Sequence, residues 1–146
     1  MKREELKNWI LSEFEAVECE LLEEQRAEVF RVDLAVLAEI ARVRLADPAG
    51  DLGDFEAETL NKRLNKFENS DEGKPIFAVL DLSEYPVSIE VKTGVALAKI
   101  LREKESVVPS KLLAESEWSR IIGFGQVSET EVDDLLRLSY RLTTEE

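Results

Sequence analysis

The sequence predicts an α/β (α+β) domain, a sheet with helices packed beside it. Three observations carry that prediction. Strand-patterned runs occupy 76–82, 87–92 and 118–124, the first nearly continuously apolar, the second strictly alternating and the third alternating in part. Apolar residues recur at helical spacing over 94–104 and 128–143. The second of these helices opens on Ser128-x-x-Glu131, a capping-box pattern in which the serine oxygen accepts from a free N–H and the glutamate reaches back.

The remaining elements follow in chain order. Leu6, Trp9, Ile10 and Phe14 mark a helix from Met1 to Phe14, with Glu4 and Glu5 near its positive end. Val17, Cys19 and Leu21 then alternate with glutamates. After the polar link Glu23-Glu24-Gln25-Arg26, Phe30, Val32 and Leu34 alternate again, which predicts a hairpin. Residues 33–46 fit two patterns. Leu34, Leu37, Ala38, Ala41 and Leu45 fit a helix; Ala41, Val43 and Leu45 between Arg42 and Arg44 fit a strand. The strand is the expectation over 39–46. "DPAGDLGD" at 47–54 is a loop of breakers, after which Asp54 caps a helix reaching Phe67. "ENSDEGKP" ends that helix and places a seam near 68–75 within a single domain. "IFAVLDL" and "VSIEVKT" are strands joined by "SEYP". Leu97, Ile100 and Leu101 face one way on the helix that follows. Gly123 and Gly125 mark a bend or bulge after the strand at 118–124.

A chain of 146 residues, 44% of them apolar, can bury a core as one domain. No apolar run approaches the roughly 18 residues that span a bilayer, and MKREELKNWI lacks the apolar region of a secretory signal. Cys19 stands alone and cannot form an internal disulfide. The expected location is cytoplasmic, with no membrane association. The formal net charge is −13, with 32 acids against 19 bases, and it repels phosphate backbones unless bases gather on one face. There is no histidine, so the usual neutral-pH acid–base and commonest metal ligand are missing.

Residues 75–143 resemble the MmcQ/YjbR family of small bacterial proteins. The resemblance runs through "PIFAVLDL", "VSIEVKT", "ALAKILREKESVVPSKLL", the "EW" before "SRII", and "GQVSETEVDDLLRLSYRL" with its Ser139-Tyr140 pair. "REELKNWILSEF" also sits where the family has a first helix. The resemblance implies an antiparallel sheet with flanking helices in a frataxin-like arrangement. It implies a DNA-binding label by analogy with a double-wing motif, and no enzymatic activity. Two departures stand out. Leu112 and Glu117 fall where the family carries histidines before its tryptophan, and residues 33–74 form a longer connection with an added helix.

Candidate site residues are few. Lys92, Lys99, Arg102, Lys104, Lys111 and Arg120 lie within 29 positions and are a candidate phosphate patch, although Glu90, Glu103, Glu105 and Glu115 intersperse them. Trp118 and Tyr140 are read as core or rim aromatics, with base stacking the sharper alternative; Trp118 is expected to pack against the 128–143 helix. Ser128 and Glu131 are structural. Cys19 has no histidine to activate it. Glu18, Glu20, Glu23 and Glu24 lack calcium-loop spacing and read as a solvated strand face. No Walker loop, GxGxxG, CxxC or nucleophile elbow is present, so neither cofactor nor metal is expected.

Three functions remain. The first is a non-enzymatic binding domain of the MmcQ/YjbR type, for which charge argues against duplex DNA. The second is an acidic protein-interaction module, chaperone- or adaptor-like. Its order of helix, three strands, helix, two strands and helix resembles the small acidic secretion chaperones, and self-association is plausible. The third, an enzyme, ranks last because no catalytic constellation can be assembled.

Overall fold

The computed structural model describes residues 3–47, 53–82, 88–104, 106–109, 113, 117–122 and 128–145. Among them are five helices and six strands: α1 (Arg3–Glu13), β1 (Val17–Leu22), β2 (Ala27–Val32), α2 (Leu34–Ala46), α3 (Asp54–Asn69), β3 (Ile76–Asp81), β4 (Ser88–Lys92), α4 (Val95–Leu101), β5 (Val107–Pro109), β6 (Trp118–Ile122) and α5 (Glu129–Glu145). The strands form one antiparallel sheet in the order β1-β2-β3-β4-β6-β5. The fold is mixed α+β, with an open sheet. Because β2 pairs with β3, the sheet runs without interruption across the linker at 68–75.

Helices cover one face of this sheet. Leu6 and Ile10 of α1, and Val132, Leu135 and Leu136 of α5, pack on Phe30, Leu80, Ile89, Val91 and Ile121. Paired residues of antiparallel strands share a face. The register Phe30↔Ala78↔Val91↔Ser119 therefore lines up a helix-facing row. The opposite face carries Val29, Val79, Glu90 and Arg120 in the next row.

A bulge interrupts β3. Phe30 pairs with Ala78 and Arg31 with Ile76, so Phe77 is the extra residue. It turns Phe77 into the helix-side core, where the ring meets Phe14 and Tyr140 edge-on. Ile76, one position earlier, packs on the opposite face beside Ala27, Val29 and Val79.

The structure corrects several expectations. Residues 39–46 are helix, not strand. Asp33 accepts from Ala35 N and Val36 N at 3.1 and 3.3 Å and starts α2. Leu34, Leu37, Ala38 and Ala41 are its buried face. The alternation at Ala41, Val43 and Leu45 was accidental, and Val43 is 62% exposed. Asp54 does not cap α3; it is the first helical residue, and Gly53 occupies the cap with no side-chain hydrogen bond. The helix after β4 is short and begins at Val95, because Gly94 at φ +83 leaves helical geometry. Ala98 and Leu101 are buried on it, while Ile100 is exposed. β5 went unforeseen: three residues carry too little pattern, and it exists because it pairs with β6. "SEYP", Lys111, Leu112, Gly123 and Gly125 lie outside the described residues.

Two expected elements take shape closely. The hairpin of β1 and β2 turns at Arg26, which adopts φ +51 and donates its N–H to Glu23 O. The Ser128 hydroxyl accepts from Glu131 N at 3.2 Å and donates to Glu131 Oε1, fixing the start of α5.

Candidate functional site

The candidate site is a cleft of about 420 Å³ at the end of the sheet where β4 finishes and β3 and β6 begin. Leu34, Pro75, Ile76, Leu113, Trp118 and Leu142 form its apolar walls. Lys66, Ser70, Glu72, Lys92 and Thr143 supply its polar groups. The last turns of α3 and α5, the first turn of α2 and the ends of three strands thus meet around one hollow.

Local chemistry explains why this end of the sheet holds its shape. Lys92 and Trp118 are register partners and share the face away from the helices. On the helix side, Ser139 of α5 reaches into the sheet. Its hydroxyl accepts from Lys92 N at 2.9 Å and donates to the Phe77 carbonyl at the bulge. Bulges leave backbone groups without ladder partners, and the serine satisfies one while clipping β3 to β4. Past Lys92, the N–H groups of Thr93 and Gly94 both donate to Glu117 O, at 2.8 and 3.0 Å. The Thr93 and Ser119 hydroxyls bond at 3.0 Å in the interior. Arg102 Nη2 donates to Trp118 O at 3.3 Å. Both backbones that present Lys92 and Trp118 are therefore tied.

Beyond Lys92 and Trp118, the same outward face of the sheet buries charge. Arg120 donates from Nε to Ser88 Oγ and from Nη2 to Asp81 Oδ2, each at 2.9 Å. Glu90, its register partner, is also buried. A second buried carboxylate sits on the helix side, where Glu28 takes the Lys7 ammonium at 3.1 Å and the Cys19 thiol at 3.3 Å. The hydrogen bond and charge of Glu28 hold Lys7 above the ordinary lysine pKa. Tyr140 stacks on Phe14 and donates its hydroxyl to Glu15 O at 2.7 Å. Burial pushes its phenol up to about 12, helped by the charges of Glu15 and Glu145.

The six candidate basic residues go to different places. Lys92 lines the cleft. Arg120 is buried against Asp81. Lys104 pairs with Glu131 at 3.3 Å. Arg102 is bonded to the Trp118 carbonyl. Lys99 is exposed on α4, and Lys111 is outside the described residues. Trp118 is only 6% exposed and lines the cleft together with Leu142 and Thr143 at the end of α5. Cys19 is half-buried on an edge strand. Glu18 and Glu20 pair with Lys74 and Arg31. No group of three or more metal-ligating side chains occurs among the described residues, and no helix among them is long and apolar enough to cross a membrane.

Sequence reasoning named Lys92 and Trp118, but gave Ser139 no role beyond its pair with Tyr140 and gave none to Lys66. Ser139 continues the buried series Val132, Leu135, Leu136, and a serine on an apolar helical face is a signal that it has a partner. Lys66 and Leu34 come from the 33–74 segment and carried no signal, because their neighbours in the cleft are far away in the chain.

No family model matches the chain, and no curated protein matches it. Solved structures do. Deinococcus radiodurans protein DR2400, with a DUF419 family domain, superposes with a TM-score of 0.66 at 16% identity, over 98% of this chain and 78% of that one. A protein from Pseudomonas syringae superposes with a TM-score of 0.60 at 15% identity, over 98% of this chain and 99% of that one. The fold is thus similar to that of DUF419, a family of the YjbR/MmcQ type.

Proposed function

We propose that the chain is a non-enzymatic binding domain of the MmcQ/YjbR type whose ligand site is the cleft between Trp118 and Lys92. One observation carries this reading. A hollow of about 420 Å³ is lined by apolar and polar groups in about equal measure, on a backbone frame tied by Ser139 and Thr93. Its volume falls within the roughly 300–1,000 Å³ of small-ligand sites. Its polar groups are two lysines, a serine, a threonine and a glutamate, which can orient a ligand by charge and hydrogen bonds. A fragment screen read by amide chemical shifts tests the proposal. Hits should move the Lys92, Trp118 and Thr143 signals together. A library whose hits all fall elsewhere would refute it.

Duplex DNA is not the partner in this reading. Arg120 and Lys104 are already committed to acids, which leaves too few bases to offset a charge of −13. Fluorescence anisotropy at physiological salt should show binding weaker than the roughly 10⁻⁴–10⁻⁶ M of non-specific binders. Micromolar, salt-sensitive binding would overturn the statement.

A protein-interaction role is the second reading, favoured by the helical pair α2–α3. Phe55 is 80% exposed and Val43 62% exposed, apolar side chains that a partner could cover. Light scattering of the parent and a Phe55→Ser variant tests self-association. A monomeric parent at high concentration removes the dimer version.

A further inference from the structure

We infer that the open edge of β1 is a docking site for an extended peptide strand of another protein, one whose residues alternate between basic and apolar, and that this strand adds antiparallel to the sheet. The surface is separate from the cleft, none of whose lining residues comes from β1. The backbone is the first argument. β1 ends the sheet and pairs only with β2. Val32 N donates to Pro75 O and Leu82 N to Arg26 O, so the even-numbered residues of β2 turn their backbone towards β3. The odd-numbered ones turn towards β1, as Asp33 N does in donating to Ala16 O at 2.8 Å. Their register partners Glu18, Glu20 and Leu22 therefore point inward. Val17 and Leu21 point their N–H and C=O outward, where no further strand lies among the described residues. Such a row is a template for another strand. The opposite edge is closed to this use, because β5 has three residues and ends in Pro109, which has no N–H to give. β1 has six residues and no proline, and its register with β2 is unbroken.

Charge says what the strand must carry. Register places Glu18 and Glu20 on the sheet face away from the helices, and both stay about half exposed. Lys74 and Arg31 each bond one oxygen of these carboxylates. Exposed pairs of this kind are weak, and the second oxygen is left for another cation. An added strand sets its own side chains directly opposite Glu18 and Glu20, where a lysine or arginine gains and a carboxylate loses. The positions between them fall on the helix side, next to Val17 and the exposed Leu21, and suit apolar residues. A second copy of the chain fits badly. Two β1 strands paired antiparallel about Cys19 would set Glu18 of each copy against Glu20 of the other.

Titration followed by amide NMR tests this with four capped heptapeptides. The first alternates Lys and Val, the second alternates Glu and Val, and the third has the composition of the first in two blocks. The fourth is the first N-methylated at its valines, the residues whose N–H groups would meet β1. The first should bind about tenfold tighter than each of the others. It should slow hydrogen exchange at Val17 and Leu21 but not at Glu18 and Glu20, whose amides already face β2. Glu18→Gln with Glu20→Gln should weaken it about fivefold, whereas Glu56→Gln with Glu58→Gln, the same charge change on α3, should leave it unchanged. Equal binding of the alternating and block peptides, no loss on N-methylation, or equal weakening by the α3 pair would show general charge attraction and overturn the inference. Protection of Val17 and Leu21 that grows with protein concentration alone overturns it in favour of a second copy. Binding that leaves Val17 and Leu21 unprotected, or no binding at millimolar concentration, also overturns it. The cleft is read separately, at Lys92, Trp118 and Thr143.

Discussion

The two faces of the sheet solve burial differently. On the helix side Phe30, Leu80, Ile89, Val91, Ile121 and Leu136 make a nearly continuous apolar layer, broken by Glu28 with its Lys7 partner. On the other side Val29 and Val79 share the surface with Asp81, Ser88, Glu90 and Arg120, all buried. The first face gains from area alone, and any side chain of suitable volume serves it. The second depends on particular partners, since a buried charge is tolerable only when paired and hydrogen-bonded. The first face therefore tolerates exchange and the second does not, even though the same strands build both.

Substitutions can break or sharpen that contrast. The largest effect should come from Arg120→Met. It leaves Asp81 buried without its guanidinium and should cost about 3–5 kcal/mol by urea unfolding. Adding Asp81→Leu should restore most of the loss; a double variant as unstable as the single one would show that packing, and not charge, holds this face. Leu136→Ala on the apolar side should cost about 2–5 kcal/mol, but Leu136→Met less than about 1.5. If Leu136→Met were as damaging as Arg120→Met, the two faces would not differ as described.

Ser139→Ala should come next, since it deprives Lys92 N–H and the Phe77 carbonyl of a partner in the interior. An unsatisfied buried group costs about 1–3 kcal/mol. Hydrogen exchange at the Lys92 amide should quicken more than global unfolding requires; unchanged exchange would show the clip to be incidental. The smallest effect belongs to Tyr140 and appears only in alkali. Its folded pKa, about 12, lies above the ordinary tyrosine value, so the native state holds the phenolic proton more tightly than the unfolded chain. Its contribution is complete below about pH 10 and declines as pH rises towards about 12. Tyr140→Phe should flatten that stretch of the stability–pH curve, and a curve parallel to the parent's would rule out Tyr140 as its source.

What the sequence determined by itself was local. A continuous apolar run marks β3, fuller or partial alternation marks β4 and β6, and a hydroxyl three residues before a glutamate starts α5, because strand patterns, helical spacing and caps involve neighbours only a few positions apart. Residues 39–46 show the limit: both periods fitted, and burial of Leu37, Ala38 and Ala41 against the rest of the chain chose the helix. The cleft was illegible for the same reason. Trp118 and Lys92 meet by strand register across 26 positions, and Leu34, Lys66 and Leu142 join them only when three helices dock. Arg120 is an extreme case. In the sequence it is one more exposed base of a candidate patch, whereas in the fold Asp81 and Ser88, 39 and 32 positions away, take it out of water. A side chain's charge is written in its residue type, but its availability to a ligand depends on which distant groups reach it first, and only the tertiary structure decides that.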